Sequence, residues 1–427
     1  MTEINMKEAI PLKKYKLKNG LKLVISQRKN APVVCLNLAY RVGSSDESAG
    51  LTGFAHLFEH LMFEGSRHVP KGSFDRFCSM AGGTNNAYTS YDYTSYNMTL
   101  PAHQLELGLW LESDRMFYFD ILESALQNQQ SVVVEEINQT VENTPYGRWH
   151  ETLVRTAFTS ESSYSWAVHG KKEDVAACKL ENASSFFENF YRPDNAVLSV
   201  CGNVNPKEVL AKVEEYFGED LVNKKQIDRR QKYLPSQRIA GVANSVEDRV
   251  PHSAVFVAYH CPGFRDDMID TAQIISTIAG GGKSSRLHKN LVYKQQKAAQ
   301  TGAFVDQRED TSLLVFYAIA ADESINCDEL NDLIQKETGK IRNGSIVSNE
   351  IKKAKNMLAA SAANELQYNS GIADSLAFET LFFDEPERVW QYLERINSVK
   401  HADINRFAND FLGDNNSVRV DVVPLSQ

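Results

Sequence analysis

The sequence predicts an α+β protein made of two tandem homologous domains, each a mostly antiparallel sheet packed with helices. Its 427 residues exceed what one ordinary hydrophobic core needs and suit two domains of about 200 residues. Residues 31–41 resemble residues 250–260, and residues 190–201 resemble residues 411–423. Because these matches lie at opposite ends of each half, they indicate a duplicated domain. Two unrelated α+β domains are the alternative.

The first elements of the chain have the patterns of strands and then of a helix. An Asn19-Gly20 turn signal lies within a strand-like segment at residues 16–25, and an apolar run follows at residues 33–40. Residues 53–63 are apolar apart from three polar side chains. This composition predicts a helix that is buried nearly all round.

The remaining pattern completes the first domain and gives the boundaries. We expect a helix over 71–81, two Tyr/Thr-rich strands over 84–100, helices over 103–117 and 122–143, a helix ending near Tyr191, a strand over 197–202 and a helix over 206–217. The charged, turn-rich residues 219–245 are the predicted linker. The predicted domains are therefore 1–218, which carries the candidate site, and 246–427, which lacks it.

Composition and charge exclude several classes of function. The chain is 42% hydrophobic and 24% charged, and its net charge of −9 argues against nucleic acid and anionic membranes as partners. It has no apolar run near the roughly 20 residues of a membrane span. The first ten residues lack the features of a signal peptide, which predicts a cytoplasmic protein, or a periplasmic one if the chain has been trimmed. The six cysteines form no Cys-x-x-Cys pair, so we expect neither disulfides nor a thiolate zinc site.

The polar side chains of the helix predicted at 53–63 have the spacing of a metal site. His56 and His60 are one helical turn apart, so both imidazoles can reach a single Zn²⁺, and Glu59 lies beside them. His-x-x-Glu-His is the inverted form of the helical zinc-peptidase motif. The alternative is a pair of core histidines bonded to backbone carbonyls. The pattern favours zinc.

A catalytic zinc ion takes three protein ligands and a water molecule, so another element must supply the third ligand. The candidates are Glu135 and Glu136 on the helix predicted at 122–143. The neighbours of Glu135 on a helix are polar, which predicts a solvent-facing charge. Those of Glu136 include Val132 and Val133, so its carboxylate is predicted to point inward. Glu136 is therefore the predicted third ligand.

The chain resembles the pitrilysin/insulinase family of zinc metallopeptidases, in its short two-domain branch that includes the mitochondrial processing peptidase subunits. The resemblance runs through residues 43–65, 86–89, 132–136, 191–195 and 280–287. It implies two similar α+β domains and one Zn²⁺ per chain, and the third ligand of the family falls on Glu136. The intact motif makes the chain similar to the catalytic type of subunit.

The resemblance also implies an activity, that of a zinc-dependent endopeptidase acting on peptides or unfolded polypeptides. Zinc and Glu59 would activate a water molecule. The substrate would be held in a closed chamber as an added strand along Asn86, Ala87, Tyr88 and Thr89. Taken by itself, this Tyr/Thr-rich stretch is equally typical of an ordinary exposed strand.

The sequence departs from the family pattern at two places. The family usually has a second glutamate seven residues before the third ligand, where this chain has Gln129, and we expect Gln129 to hydrogen-bond around the metal ligands. Active single-chain relatives carry an Arg–Tyr pair where a gap-free alignment places Tyr293 and Gln300. The resemblance therefore implies a heterodimer in which a homologous non-catalytic subunit supplies that pair. A homodimer is the alternative.

Three functions other than peptidase activity are alternatives for this sequence. Residues 280–285 resemble a nucleotide-binding loop in their glycine content. The spacing of a phosphate-binding loop, however, requires glycine where Thr277 stands. A tight turn before a helix is therefore the better interpretation. A non-proteolytic structural or assembly subunit of the same fold remains the main alternative function. A zinc hydrolase of non-peptide substrates is the third.

Overall fold

The computed structural model describes residues 11–29, 31–218, 227, 229 and 232–425. The strands are β1 (Leu12–Lys16), β2 (Lys22–Gln27), β3 (Val33–Tyr40), β4 (Thr84–Thr89), β5 (Thr94–Pro101), β6 (Ala196–Gly202), β7 (Val242–Asp248), β8 (Ala254–Pro262), β9 (Ala298–Asp306), β10 (Thr311–Ala320) and β11 (Ser417–Pro424). The helices are α1 (Phe54–Leu61), α2 (Phe74–Met80), α3 (Leu105–Phe117), α4 (Glu123–Ile137), α5 (Trp149–Ala157), α6 (Lys172–Ala176), α7 (Leu180–Phe190), α8 (Pro206–Phe217), α9 (Met268–Gly280), α10 (Cys327–Arg342), α11 (Ser348–Glu365), α12 (Asn369–Phe383), α13 (Arg388–Ser398) and α14 (His401–Phe411). Asn138–Glu142 and His288–Lys294 are π-helical.

The strands form two sheets of the same design. The first has the order β1-β2-β6-β3-β5-β4, and the second has the order β7-β11-β8-β10-β9. One parallel pair occurs in each, β2 with β6 and β7 with β11, and the other neighbours are antiparallel. The segments that match in sequence lie in β3 and β8 and in β6 and β11, which hold equivalent positions. The predicted fold class, two tandem α+β domains with mostly antiparallel sheets, is confirmed.

The central strand of the first sheet explains why that sheet is covered on both faces. β3 is an almost unbroken apolar run, and its residues from Val34 onward are buried. Successive side chains of a strand point to opposite faces. Leu36 packs close to Gly108 of α3, whereas Asn37 donates a hydrogen bond of 2.9 Å to Asp374 of α12. Therefore α3 and α12 lie on opposite faces of this sheet.

The chain folds into two compact units that do not follow chain order. Among the described residues, the first unit comprises those within 1–134, 168–230 and 363–392, and the second comprises those within 135–167, 231–362 and 393–427. α12 belongs to the first unit and packs on β3 and β6, whereas α5 belongs to the second unit and packs on β11, β7 and β8. Each sheet thus receives a helix from the other half of the sequence. The boundaries of the homologous halves at 1–218 and 246–427 stay a prediction.

The predicted linker at 219–245 lies partly outside the described residues. Residues 219–226 are among those not described, but β7 begins at Val242, within the predicted linker. The reason is its pairing: Val242 lies opposite Val418 in a parallel ladder with β11, which supplies hydrogen bonds that the polar composition does not indicate. The end of the predicted linker is therefore part of the second sheet.

A buried ion pair connects the elements around α1. Arg115 and Glu112 of α3 are both almost fully buried, and the Arg115 Nε donates to Glu112 at 2.8 Å. The Arg115 guanidinium also lies 5.3, 4.7 and 4.2 Å from the ring centres of Phe63, Phe74 and Tyr96. These cation–π contacts join the segment after α1 to α2 and β5. They help to fix the position of α1 beside the sheet.

The structure bears on the predictions about disulfides and membrane spans. All six cysteines are free thiols and buried. In the part of the chain that the structure describes, every helix falls short of the length and apolar character that crossing a membrane requires.

Candidate metal centre

The start of α1 is organised by a carboxylate that precedes it in the chain. Glu47, which is only 2% exposed, accepts hydrogen bonds from the backbone N–H groups of Gly53 at 2.9 Å and Ala55 at 2.8 Å. The first N–H groups of a helix have no partner within the helix, and a negative charge there is favourable. Gly53 adopts a φ of +82°, and a Cβ on it would lie 2.4 Å from the His169 carbonyl oxygen. Glu47 and Gly53 thus set where the helix begins.

The apolar residues of α1 anchor it against aromatic side chains. Phe54 and Phe58 are buried and pack against Phe186 of α7, with ring centres 5.8 and 5.5 Å apart. The polar face is different, because His56, Glu59 and His60 are each only partly buried. The sequence therefore predicted the buried face correctly but missed that the polar face borders a cleft.

The structure brings His56, His60 and Glu136 together. Each offers one ligand atom, and these atoms lie within 4.8 Å of one another. The two imidazole rings have centres 4.9 Å apart and are nearly perpendicular. No other group of this kind occurs within the described residues. Two imidazole nitrogens and one carboxylate oxygen are a donor set that mononuclear zinc sites use, so these residues fit the ion.

The electrostatic environment keeps one of these histidines in the form that binds metal. Burial lowers the pKa of His56 to about 4, and the nearby imidazoles of His60 and His169 act in the same direction. A metal ligand must be neutral imidazole, not imidazolium. At neutral pH, His56 is therefore already in the ligating form.

The two candidate glutamates of α4 differ in their exposure and in the residues around them. Glu135 is exposed and accepts hydrogen bonds from Asn138 at 3.2 Å and Gln139 at 3.1 Å, and these bonds lower its pKa. Glu136 is partly buried and belongs to the group with the histidines. The argument from periodicity was half right about the surroundings of Glu136, since Val133 is buried but Val132 is 43% exposed.

Glu59 lies between the metal-competent residues and the edge of the sheet. The Thr89 hydroxyl on β4 donates a hydrogen bond of 2.6 Å to the Glu59 Oε2. A cleft of about 270 Å³ is lined by side chains of α1, α2 and β4. Its lining residues are Glu59, His60, Phe63, Asp75, Asn85, Asn86 and Ala87. A carboxylate beside a metal-competent group and an open cleft is the arrangement that a general base needs.

Among the described strands, β4 lies at the edge of its sheet and pairs only with β5. The N–H of Ala87 donates to the side chain of Asn86 at 2.9 Å, so this N–H points to the open edge and away from the ladder with β5. Of the four residues predicted to hold substrate, Asn86 and Ala87 line the cleft and Thr89 contacts Glu59. Tyr88 faces the other side of the sheet, where it donates to Asp374.

Gln129 forms a hydrogen bond to the segment that follows α1. Its side-chain amide donates to Glu64, in the segment just after α1, and Glu64 also pairs with Lys71 at 3.0 Å. Gln129 therefore ties α4 to the end of the α1 segment. Its predicted place in a hydrogen-bond shell around Glu136 stays a prediction.

The second half of the chain contains the positions where the resemblance expects an Arg–Tyr pair. Tyr293 is 79% exposed, and Gln300 donates to the Tyr317 hydroxyl at 3.2 Å. In the nearby glycine run, Gly282 has a φ of +75°, and a Cβ on Gly280 would lie 1.9 Å from the Ala303 nitrogen. Gly282 serves the tight turn that the sequence predicted, and Gly280 allows a close backbone approach that was not predicted.

A helix-borne His/Glu donor set of this kind is one that zinc hydrolases use, and comparison with known proteins identifies the family of the chain. The description "Insulinase (Peptidase family M16)" matches residues 23–165, and "Peptidase M16 inactive domain" matches residues 177–358. The chain belongs to the insulinase family, peptidase family M16.

Individual relatives match over nearly the whole chain. It is 29% identical over 411 residues to the zinc protease PqqE of Helicobacter pylori, covering 96% of this chain and 92% of that one. It is 22% identical to the probable mitochondrial-processing peptidase subunit beta of Schizosaccharomyces pombe, with 93% and 88% covered. The crystal structure of a protease from Helicobacter pylori superposes with a TM-score of 0.88 at 27% identity, covering 97% and 100%. At the level of the family, this is a protease fold with zinc-protease relatives.

Proposed function

We propose that this protein is a zinc-dependent endopeptidase that cleaves peptides or unfolded polypeptides. The observation that carries the proposal is the convergence of His56, His60 and Glu136 next to Glu59 and the open edge of β4. The relatives named zinc proteases support the same activity.

In this proposal His56, His60 and Glu136 hold one zinc ion per chain. A Zn²⁺ ion held there would supply Lewis-acid chemistry, because bound zinc lowers the pKa of water toward 7 and polarises a carbonyl. Glu59 takes the proton of the attacking water and returns it to the leaving amine. The Thr89 hydroxyl orients the Glu59 carboxylate by donating to one of its oxygens.

The substrate adds to β4 as an antiparallel or parallel strand through main-chain hydrogen bonds. The Ala87 N–H, which faces the open edge, is one donor for it, and the Asn86 side chain moves aside to release that donor. Since main-chain bonds do not depend on side-chain identity, such binding accepts many sequences. The cleft between α1, α2 and β4 then selects among side chains.

The proposal also includes a closed chamber and a homologous non-catalytic partner that supplies an Arg–Tyr pair. Two observations support a partner. Tyr293 and Gln300 stand at the positions where the resemblance expects Arg and Tyr, and one relative has a name that describes a subunit. A homodimer is the alternative arrangement.

The proposed activity is tested by incubating the purified chain with an unfolded polypeptide, before and after removal of metal by a chelator. We expect cleavage that chelation abolishes and Zn²⁺ restores, and stimulation when a homologous subunit lacking the metal motif is added. Cleavage that survives chelation contradicts the zinc mechanism. A chain that binds no zinc and cleaves nothing, even with its partner, would instead be a structural subunit. Full activity of the isolated chain would exclude the need for a partner.

A further inference from the structure

We propose that Asp374 on α12 is a positioning residue for substrate binding, because it holds the edge strand β4 at the place where a peptide pairs beside Glu59. This inference rests on the proposed peptidase function and adds a residue that the motif does not contain. Asp374 lies in the second half of the sequence, but α12 packs in the first compact unit.

One carboxylate oxygen of Asp374 collects donors from three neighbouring strands. The Oδ1 atom accepts from the Asn37 amide of β3 at 2.9 Å, from the Ser95 hydroxyl of β5 at 3.3 Å and from the Tyr88 hydroxyl of β4 at 2.7 Å. Asn37 and Ser95 are fully buried and also bond to each other at 2.9 Å. Hydrogen bonds from neutral donors to a charged carboxylate are stronger than hydrogen bonds to a neutral acceptor. α12 is thereby connected to the outermost strand of the sheet.

The tyrosine of β4 is the last link of this network. The Tyr88 and Tyr93 hydroxyls are 2.8 Å apart. Because Tyr88 gives its single proton to Asp374, Tyr93 is the donor in that contact. The ring of Tyr93 packs against Phe378 and Phe382 of α12, with centres 5.5 and 5.7 Å apart. The turn between β4 and β5 therefore packs against α12.

The next residue along β4 faces the catalytic side. Adjacent side chains of a strand point to opposite faces, and Thr89 donates to Glu59 of α1 while Tyr88 donates to Asp374. The end of β4 is thus held from one face by α12 and from the other by α1. An edge strand has a ladder on one side only, so these two side-chain contacts fix its position relative to Glu59.

The test measures kcat and KM of the zinc-loaded, full-length chain and its variants on one peptide. D374A and Y88F each remove the link and should raise KM about tenfold, with kcat and zinc content nearly unchanged. D374N keeps an acceptor oxygen in place and should raise KM less than D374A. In the double variant D374A/Y88F, KM should rise no further than in D374A, because the two side chains act as one link.

A matched control lies on the same helix. Asn369 of α12 accepts a hydrogen bond from Arg28 at 3.2 Å and donates to the Val33 carbonyl at 3.4 Å, so N369A weakens the docking of α12 without touching the Tyr88 link. It should lower the thermal unfolding midpoint and leave KM within about twofold of wild type.

The proposal is overturned if folded Y88F and D374N bind and cleave with the wild-type KM, if N369A raises KM as much as D374A, or if the double variant shows the product of the single effects. If D374A does not fold, Y88F and D374N decide by the same criterion. A wild-type chain without zinc-dependent cleavage, even when the homologous partner subunit is present, would instead refute the proposed function, so the two failures are distinguishable.

Discussion

Replacing Glu59 by Gln lowers kcat by about 10² to 10⁴-fold while the chain still binds zinc, if Glu59 is the general base. Glutamine has the size of glutamate and can still accept a hydrogen bond from the Thr89 hydroxyl, which lies 2.6 Å from the Glu59 Oε2. It cannot take a proton from water at neutral pH. The variant therefore separates proton transfer from the shape of the site. The measurement is the single-turnover rate on a peptide, together with the zinc content of the same sample.

Thr89→Val is the matched control for this variant. It removes the hydroxyl that orients the carboxylate but keeps the carboxylate itself, so the rate should fall several-fold and far less than in E59Q. Loss of zinc from E59Q would assign Glu59 to metal binding instead. Undiminished cleavage by E59Q would remove it from the mechanism.

Replacing Glu136 by Ala should weaken zinc binding by more than about a hundredfold and abolish chelator-sensitive cleavage. The expectation follows from ligand count, since only His56 and His60 would remain, and even residues that merely support a ligand contribute 10–100-fold to affinity. The measurement is competition for Zn²⁺ against a chromophoric chelator of known affinity.

The adjacent residue provides a control with the same change of charge on the same helix. Glu135 is exposed and accepts from Asn138 and Gln139, so E135A should retain both zinc and activity. The opposite pattern, in which E135A loses zinc and E136A keeps it, would mean that the third ligand has been assigned to the wrong glutamate.

Local sequence was sufficient to predict which side chains share one face of a helix. His56, Glu59 and His60 share a face because helical geometry brings residues three and four apart together. Glu136 was distinguished from Glu135 by the polarity of its helical neighbours, although Val132 is more exposed than that argument assumed. The repeat also predicted the two similar sheets.

What the sequence could not predict depends on contacts between distant segments. The carboxylate of Asp374 meets Tyr88, which is 286 residues earlier, and local patterning carries no signal for such a pairing. The exchange of α5 and α12 between the two halves was missed for the same reason. Tyr88 was predicted to pair with substrate through its main chain, which stays a prediction; the turn of its side chain toward α12 was not predicted.

Glu47 is an intermediate case. It stands in the segment that resembles the family, yet its contacts with the N–H groups of Gly53 and Ala55 were not predicted. An acidic residue shortly before a glycine and a helix is a signal that could have identified it, because such a charge favours the helix N-terminus.

Diffraction data from zinc-loaded crystals, collected on both sides of the zinc absorption edge, test the central claim most directly. The account predicts one anomalous peak per chain, bounded by His56, His60 and Glu136 at about 2.0–2.2 Å from their donor atoms. A peak at another group of residues, or none between these three at saturating zinc, would contradict it.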